Sequence, residues 1–152
     1  RRILCLRSNS RMRMPANKRT DAYLDVVEQA GLSALVREVE FVKPDDEKGA
    51  VVAKILDENP DIDGIFAGDD TMAAICLNVM KQRGLSAPDD IKVVGADGAR
   101  RTMTFMPDLT TVRQDIDRIG ELAAQSIIAL INGDNPESNI KLPVELIEGK
   151  TA

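Results

Sequence analysis

Residues 62–96 read IDGIFAGDDTMAAICLNVMKQRGLSAPDDIKVVGA, and this stretch decides the fold. Its first part, residues 62–67, is an apolar run that predicts a buried strand. Residues 71–83 then carry apolar side chains at helical spacing on one side, namely Met72, Ala73, Cys76, Val79 and Met80. The stretch closes on residues 91–96, a continuous apolar run typical of a strand buried on both faces of a parallel sheet. Strand, helix and strand in this order predict a βαβ unit.

The same alternation continues on both sides of this unit. Further strands are predicted at residues 2–6, 35–42, 109–112 and 140–146. Further helices are predicted at residues 19–30, 51–56 and 116–131. Pro143 lacks a backbone donor and places the last strand at a sheet edge, and residues 98–107 read as an irregular loop. The sequence therefore predicts an α/β fold, a doubly wound parallel sheet with flanking helices.

The composition excludes several classes of site. The chain has 152 residues, a net charge of −5, three Phe, one Tyr and neither His nor Trp. Without His there is no imidazole base for a Ser-His-Asp or Cys-His mechanism and no imidazole ligand for zinc. The acidic pI of about 4.8 argues against nucleic-acid binding by this segment. Cys5 and Cys76 lie in apolar runs and are interpreted as buried, reduced thiols. We expect no catalytic residue, metal site or cofactor.

Polar side chains follow the predicted strands at the sheet edge where open α/β proteins bind ligands. The set comprises Arg7, Asn9, Asp69, Asp70, Asp97, Gln114 and Asp115, with Arg19 at the start of the first helix on the same side. Carboxylates and an amide accept the protons of sugar hydroxyls, and a guanidinium donates to sugar oxygens. This combination predicts a polyol-binding site that needs no group with a tuned pKa.

Each of these side chains also has a structural interpretation. Asp69 or Asp70 is placed to cap the following helix, Asp97 to shape a turn, and Gln114 and Asp115 to start a helix. Arg19 is alternatively a surface charge. The basic residues form either a solvated loop or an anion site, and they are Arg7, Arg11, Arg13, Lys18 and Arg19. The residues alone leave these alternatives open.

Four segments, in order, carry a family resemblance. They are RTDAY at 19–23, PDIDGIFAGDDTMA at 60–73, GLSAPDDIKVVGAD at 84–97 and PDLTTVRQ at 107–114. Together they resemble the effector-binding region of the lactose/galactose repressor family, whose lobes are similar to type I periplasmic binding proteins. The resemblance implies that Arg19, Asp69, Asp97 and Gln114 contact the effector. Asp69 stands where the family usually has Asn, which favours an uncharged or basic effector over a carboxylate.

The resemblance also implies an organisation and a set of partners. Residues 1–113 correspond mostly to the C-terminal lobe, 114–138 to a helix of the other lobe and 139–152 to a returning strand. We expect a piece of a longer cytoplasmic regulator that exposes an apolar face which the complete protein buries. The implied partners are a small-molecule effector (a sugar rather than a purine), operator DNA through an N-terminal domain outside this chain, and a second copy, but no membrane. The candidate dimer contacts are the helix at 71–83 and the loop at 98–107, which contains Met103, Phe105 and Met106.

Two other functions compete with this interpretation. A solute-binding protein of a bacterial sugar importer would share the fold and the sugar chemistry. A flavodoxin-like phosphoryl-transfer enzyme would use Asp69 or Asp70 as a nucleophile together with Mg²⁺.

Overall fold

The computed structural model describes residues 1–9 and 15–152, so Arg11 and Arg13 of the predicted basic cluster lie outside the described residues. The strands are β1 (Ile3–Asn9), β2 (Leu35–Glu40), β3 (Gly64–Ala67), β4 (Lys92–Asp97), β5 (Thr110–Gln114) and β6 (Val144–Ile147). The helices are α1 (Pro15–Gln29), α2 (Asp45–Glu58), α3 (Asp70–Gln82), α4 (Arg100–Phe105) and α5 (Ile116–Ile131).

The strands of the described residues form one sheet in the order β2-β1-β3-β4-β5-β6. Strands β1 to β5 run parallel, and β6 pairs antiparallel with β5 at the edge. The predicted doubly wound α/β fold is confirmed, as is the edge position of the strand that follows Pro143. Because β1 pairs with both β2 and β3, the winding direction reverses between β1 and β3, and such a reversal opens a crevice at the carboxyl ends of the strands.

Helices cover both faces of the sheet and create two separate cores. Leu4 and Leu6 point to the larger core, which they share with Cys76 of α3, and all three are almost fully buried. The alternating residue Cys5 points to the opposite face, where it packs with Tyr23 of α1. The two thiols are therefore free and buried on opposite faces, as predicted. Burial raises the pKa of both, that of Cys76 to about 12, which keeps them protonated and unreactive.

Several predicted boundaries differ from the structure, including that of α2, which begins at Asp45 instead of residue 51. Helix α1 begins at Pro15 rather than at Arg19, because proline is well accommodated in the first turn of a helix. The predicted loop at 98–107 contains the six-residue helix α4, and Met106 at its end packs against the larger core. Strand β6 begins at Val144 instead of residue 140, directly after the proline.

Helix α5 exposes an apolar face, which the family resemblance leads us to expect somewhere on this chain. None of its residues is buried, and its apolar side chains are between 45% and 77% exposed at Ile116, Ile119, Ile127, Ile128, Leu130 and Ile131. Within residues 1–9 and 15–152, no helix has the length and apolarity that crossing a membrane requires.

Thr151 lies against the neighbouring strands β4 and β5. The Thr151 hydroxyl donates to the carbonyl of Val93 at 2.7 Å and accepts from the amide of Thr110 at 3.0 Å. The Thr151 carbonyl accepts from the amide of Val93 at 2.6 Å. Thr151 is buried, so its hydroxyl bridges two neighbouring strands out of contact with water.

Replacing Thr151 with valine should lower the free energy of unfolding by about 1–3 kcal/mol, because it leaves a buried donor and acceptor unpaired. Urea denaturation followed by circular dichroism measures this loss. The matched control is Thr104→Val, since the Thr104 side chain is exposed and its hydroxyl contacts only its own helix. Equal losses in the two variants would contradict the bridging role.

Candidate functional site

The predicted site residues lie at the carboxyl ends of the parallel strands. Asp97 is the last residue of β4 and Gln114 the last residue of β5. Asp69 follows β3 after Gly68, and Arg19 lies in α1, the helix that follows β1. The βα connections of a parallel sheet emerge at one edge, so the fold itself brings these four segments together.

Three of the four residues are in direct contact. Asp97 Oδ1 accepts from Arg19 Nη2 at 2.5 Å and from Gln114 Nε2 at 2.7 Å. Arg19 Nη1 also donates to the carbonyl of Gly68 at 2.6 Å, which holds the guanidinium against the end of β3. The side chains of Arg19 and Asp97 remain 25% and 34% exposed, so a ligand can reach this cluster. The alternative interpretation of Arg19 as a free surface charge is wrong.

The two consecutive aspartates have different roles. Asp69 is the N-cap of α3, and its Oδ1 accepts from the amide of Met72 at 2.8 Å. Asp70 is only 3% exposed and accepts from the amide of Gly98 at 2.8 Å and from the Thr111 hydroxyl at 2.6 Å. Burial raises the pKa of Asp70 above its usual range, and the two donors act against that rise. The capping interpretation therefore holds for Asp69, which still faces a cavity.

That cavity has a volume of about 350 Å³ and contains Asp69 and Asp97 in its wall. Two other wall residues, Phe41 and Lys48, are not among the site residues predicted from the sequence. Phe41 follows β2 and is 50% exposed, and Lys48 Nζ lies 5.9 Å from the centroid of its ring. The alternation of apolar and charged residues around Phe41 predicts only a strand. Nothing in the sequence indicates that Phe41 lies beside the carboxylates.

A second cavity of about 660 Å³ lies between the segment after β4, the end of β5 and the start of α5. Gln114, Arg113 and Glu145 contribute to its wall, and Ala99 lines both cavities. The contact between Gln114 and Asp97 thus joins residues of the two cavities. The cluster has open space on both sides, which suits a ligand larger than a single small ion.

The remaining candidates are engaged in other contacts. Arg7 forms an ion pair with Glu38 on the neighbouring strand. Asp115 caps α5, its Oδ1 accepting from the amide of Arg118 at 2.9 Å, so its interpretation as a helix-start residue is confirmed. In the part of the chain that the structure describes, no group of three or more Cys, Asp or Glu side chains is placed to hold a metal ion.

Comparison with known proteins finds sugar operon repressors among the relatives of this chain. Residues 1–152 match the family model of the periplasmic binding protein-like domain. The chain is 31% identical to the ribose operon repressor of Halalkalibacterium halodurans over 138 residues, which cover 90% of this chain and 41% of that protein. It is 32% identical to the sucrose operon repressor of Lactococcus lactis over 149 residues, which cover 98% of this chain and 45% of that protein.

A solved structure adds a fold comparison. The complex of the transcriptional regulator CelR with cellobiose superposes with a TM-score of 0.86 at 27% identity, covering 100% of this chain and 47% of that one. The present chain thus spans less than half the length of each of these three proteins.

Proposed function

We propose that this chain, which belongs to the periplasmic binding protein-like domain family, is the effector-binding part of a sugar-responsive transcription regulator. The chain is a relative of the lactose/galactose repressors, and its relatives include the ribose and sucrose operon repressors. The observation that carries the proposal is the hydrogen-bonded cluster of Arg19, Asp97 and Gln114 at the carboxyl edge of the sheet.

The chemistry of this cluster suits a sugar. Arg19 donates hydrogen bonds, Asp97 accepts them and the amide of Gln114 does both, which matches hydroxyl groups that donate and accept. The exposed ring of Phe41 in the same cavity offers an apolar surface to the face of a sugar ring. Asp69 in the cavity wall adds a negative charge that disfavours a carboxylate effector.

The switch follows from the division of the protein into lobes. We assign residues 1–113 mostly to one lobe, 114–138 to a helix of the other lobe and 139–152 to a strand that returns to the first. The exposed apolar face of α5 then packs against the remainder of the second lobe. An effector bridging the two lobes favours one closure state, and a differential affinity of about 1–3 kcal/mol is sufficient to shift operator binding.

The remaining partners follow from the same assignment. Operator DNA is bound by an N-terminal domain outside this acidic chain, and the protein acts in the cytoplasm, where operator DNA lies. A second copy pairs through α3 and the 98–107 segment, where Phe105 is 77% exposed and available for contact. Met106 packs against the larger core but is only partly buried, so it remains a candidate contact residue.

An enzymatic role is not favoured by the site. A phosphoryl-transfer mechanism requires an aspartate oxygen that can attack an incoming phosphorus atom. Asp69 holds the amide of Met72, and Asp70 is buried against Gly98 and Thr111. We infer binding without turnover.

Calorimetric titration of the gene product that contains this chain tests the proposal. We expect ribose, sucrose, cellobiose or another neutral sugar of the panel to bind, while a purine base does not. The Arg19→Ala variant tests the site, because Arg19 holds both Asp97 and the end of β3. Binding of a purine alone would overturn the sugar assignment. A loss of affinity of less than about threefold in Arg19→Ala (about 0.7 kcal/mol) would overturn the role of Arg19.

A further inference from the structure

The buried carboxylate of Asp70 connects three elements at the base of the proposed site. It begins α3, its Oδ2 accepts from the amide of Gly98 at 2.8 Å, and its Oδ1 accepts from the Thr111 hydroxyl of β5 at 2.6 Å. A single side chain thus ties the start of α3 to the turn after β4 and to β5.

The turn that Asp70 holds has an unusual backbone. Asp97 has a φ of 108°, and Gly98 follows with a φ of 59°. A non-glycine residue with a positive φ persists only where its surroundings fix it, because the conformation costs about 1–3 kcal/mol. The carboxylate of Asp70 supplies that constraint, since it binds the amide of the residue directly after Asp97.

The space for this carboxylate is built into β4. A Cβ atom placed on Gly95 would lie 2.5 Å from Asp70 Oδ1. Only glycine at position 95 therefore lets the carboxylate approach the strand this closely. Thr111, the second partner, is fully buried and lies three positions before Gln114 on the same strand. The Asp70 contacts therefore join α3 to the Gly98 turn and to β5, the two segments that carry Asp97 and Gln114.

We propose that Asp70 is the positioning residue of the effector site, fixing the Asp97–Gly98 turn so that Asp97 faces Arg19 and Gln114. The effect on affinity rests on the function proposed above, whereas the effect on the side-chain cluster does not. A residue that serves only stability would lower the free energy of unfolding and leave the cluster of the folded protein unchanged.

Nuclear magnetic resonance of the Arg19 guanidinium tests the positioning role in the gene product that contains this chain, without any effector. Because Gly68 and Asp97 each accept from one of its two Nη groups, we expect rotation about the Nε–Cζ bond to be slow. We expect Asp70→Ala to accelerate this rotation by about tenfold, because a displaced Asp97 no longer holds the guanidinium. Asp70→Asn should restore slow rotation, since its amide oxygen can accept from Gly98 while its amide nitrogen donates to Thr111.

Two further variants keep the test decisive. Val52→Ala opens a cavity in the larger core beneath α2 and should leave Arg19 rotation unchanged despite its loss of stability. Thr111→Val removes one of the two partners of Asp70 and should accelerate rotation to an intermediate degree, which covers the case that Asp70→Ala does not fold. Unchanged rotation in Asp70→Ala or, where that variant does not fold, in Thr111→Val would overturn the proposal, as would equal acceleration in Val52→Ala.

The affinity measurement separates this proposal from the function. In the gene product, titrated with whichever of ribose, sucrose and cellobiose binds, Asp70→Ala should weaken binding by about tenfold, while Asp70→Asn and Val52→Ala stay within about threefold. A tenfold loss in Val52→Ala as well would overturn the positioning role. If none of the sugars binds, the proposed function fails and the Arg19 rotation still decides whether Asp70 positions the cluster.

Discussion

Sugar affinity should fall by about 10- to 150-fold when Asp97 is replaced with asparagine, equivalent to the roughly 1.5–3 kcal/mol that a hydrogen bond to a charged group contributes. Asp97 is the common acceptor of the cluster, bound by Arg19 at 2.5 Å and by Gln114 at 2.7 Å. Asparagine keeps the shape and tolerates a positive φ comparatively well, so the backbone at 108° is retained. The amide nitrogen of asparagine then faces either the donors of Arg19 and Gln114 or the sugar hydroxyls, in place of a carboxylate oxygen. The negative charge opposite Arg19 is also lost.

Isothermal titration of the gene product with the bound sugar measures this change. The matched control is Asp89→Asn, which removes the same charge from an exposed position away from the cluster. We expect the control to bind within about twofold of the original protein, because exposed charges at a distance are screened by salt. A loss of less than about threefold in Asp97→Asn would remove Asp97 from the site. Stability should change little, since a pair this exposed contributes about 1 kcal/mol or less.

The sequence was sufficient to place the strands and the edge where the site lies. The apolar runs at 62–67 and 91–96 carry strong local signals, because a strand buried on both faces is apolar throughout. Once those strands are parallel, the polar residues behind them share an edge. The predicted set of edge residues therefore includes Arg19, Asp97 and Gln114, and the structure brings these three into contact.

The division of roles between Asp69 and Asp70 could not be predicted. Both precede α3, and capping chemistry fits either residue. The choice depends on contacts that are distant in the chain, namely the hydroxyl of Thr111 and the space left by Gly95. Side chains that only the folded sheet brings together show no periodic pattern in the sequence. For the same reason the sequence does not predict that Phe41 lines the cavity.

Helix α4 escaped prediction for a different reason. Six residues give fewer than two turns, too short for a helical period to be recognised, and no side chain caps its start. Its position depends on Met106, which packs against the larger core, and on the turn at Asp97 and Gly98 that leads into it. Tertiary contacts decide such short helices more than local propensity does.

The second large effect should come from Gly98→Ala, which we expect to lower the free energy of unfolding by about 2–5 kcal/mol. Gly98 has a φ of 59°, and an added Cβ would lie 2.6 Å from Arg113 Cβ and 2.7 Å from Arg113 Cα. The nearest atoms belong to the adjacent strand β5 and not to a mobile chain end, so they cannot move aside without disturbing the sheet. Thermal and urea denaturation measure the loss.

Gly84→Ala separates the two causes of that loss. Gly84 has a similar φ of 72° but nothing within 4 Å of an added Cβ, so its replacement adds backbone strain alone, about 1–2 kcal/mol. The excess in Gly98→Ala then reports the contact with Arg113, and equal losses would show that β5 does not constrain the turn. Because Gly98 directly follows Asp97 and its amide is held by Asp70, the same substitution should also free the Arg19 guanidinium. Gly84 follows the end of α3 that is opposite to the cluster, so Gly84→Ala should leave the cluster intact. The two variants together therefore distinguish backbone strain at a distant turn from displacement of the site residues.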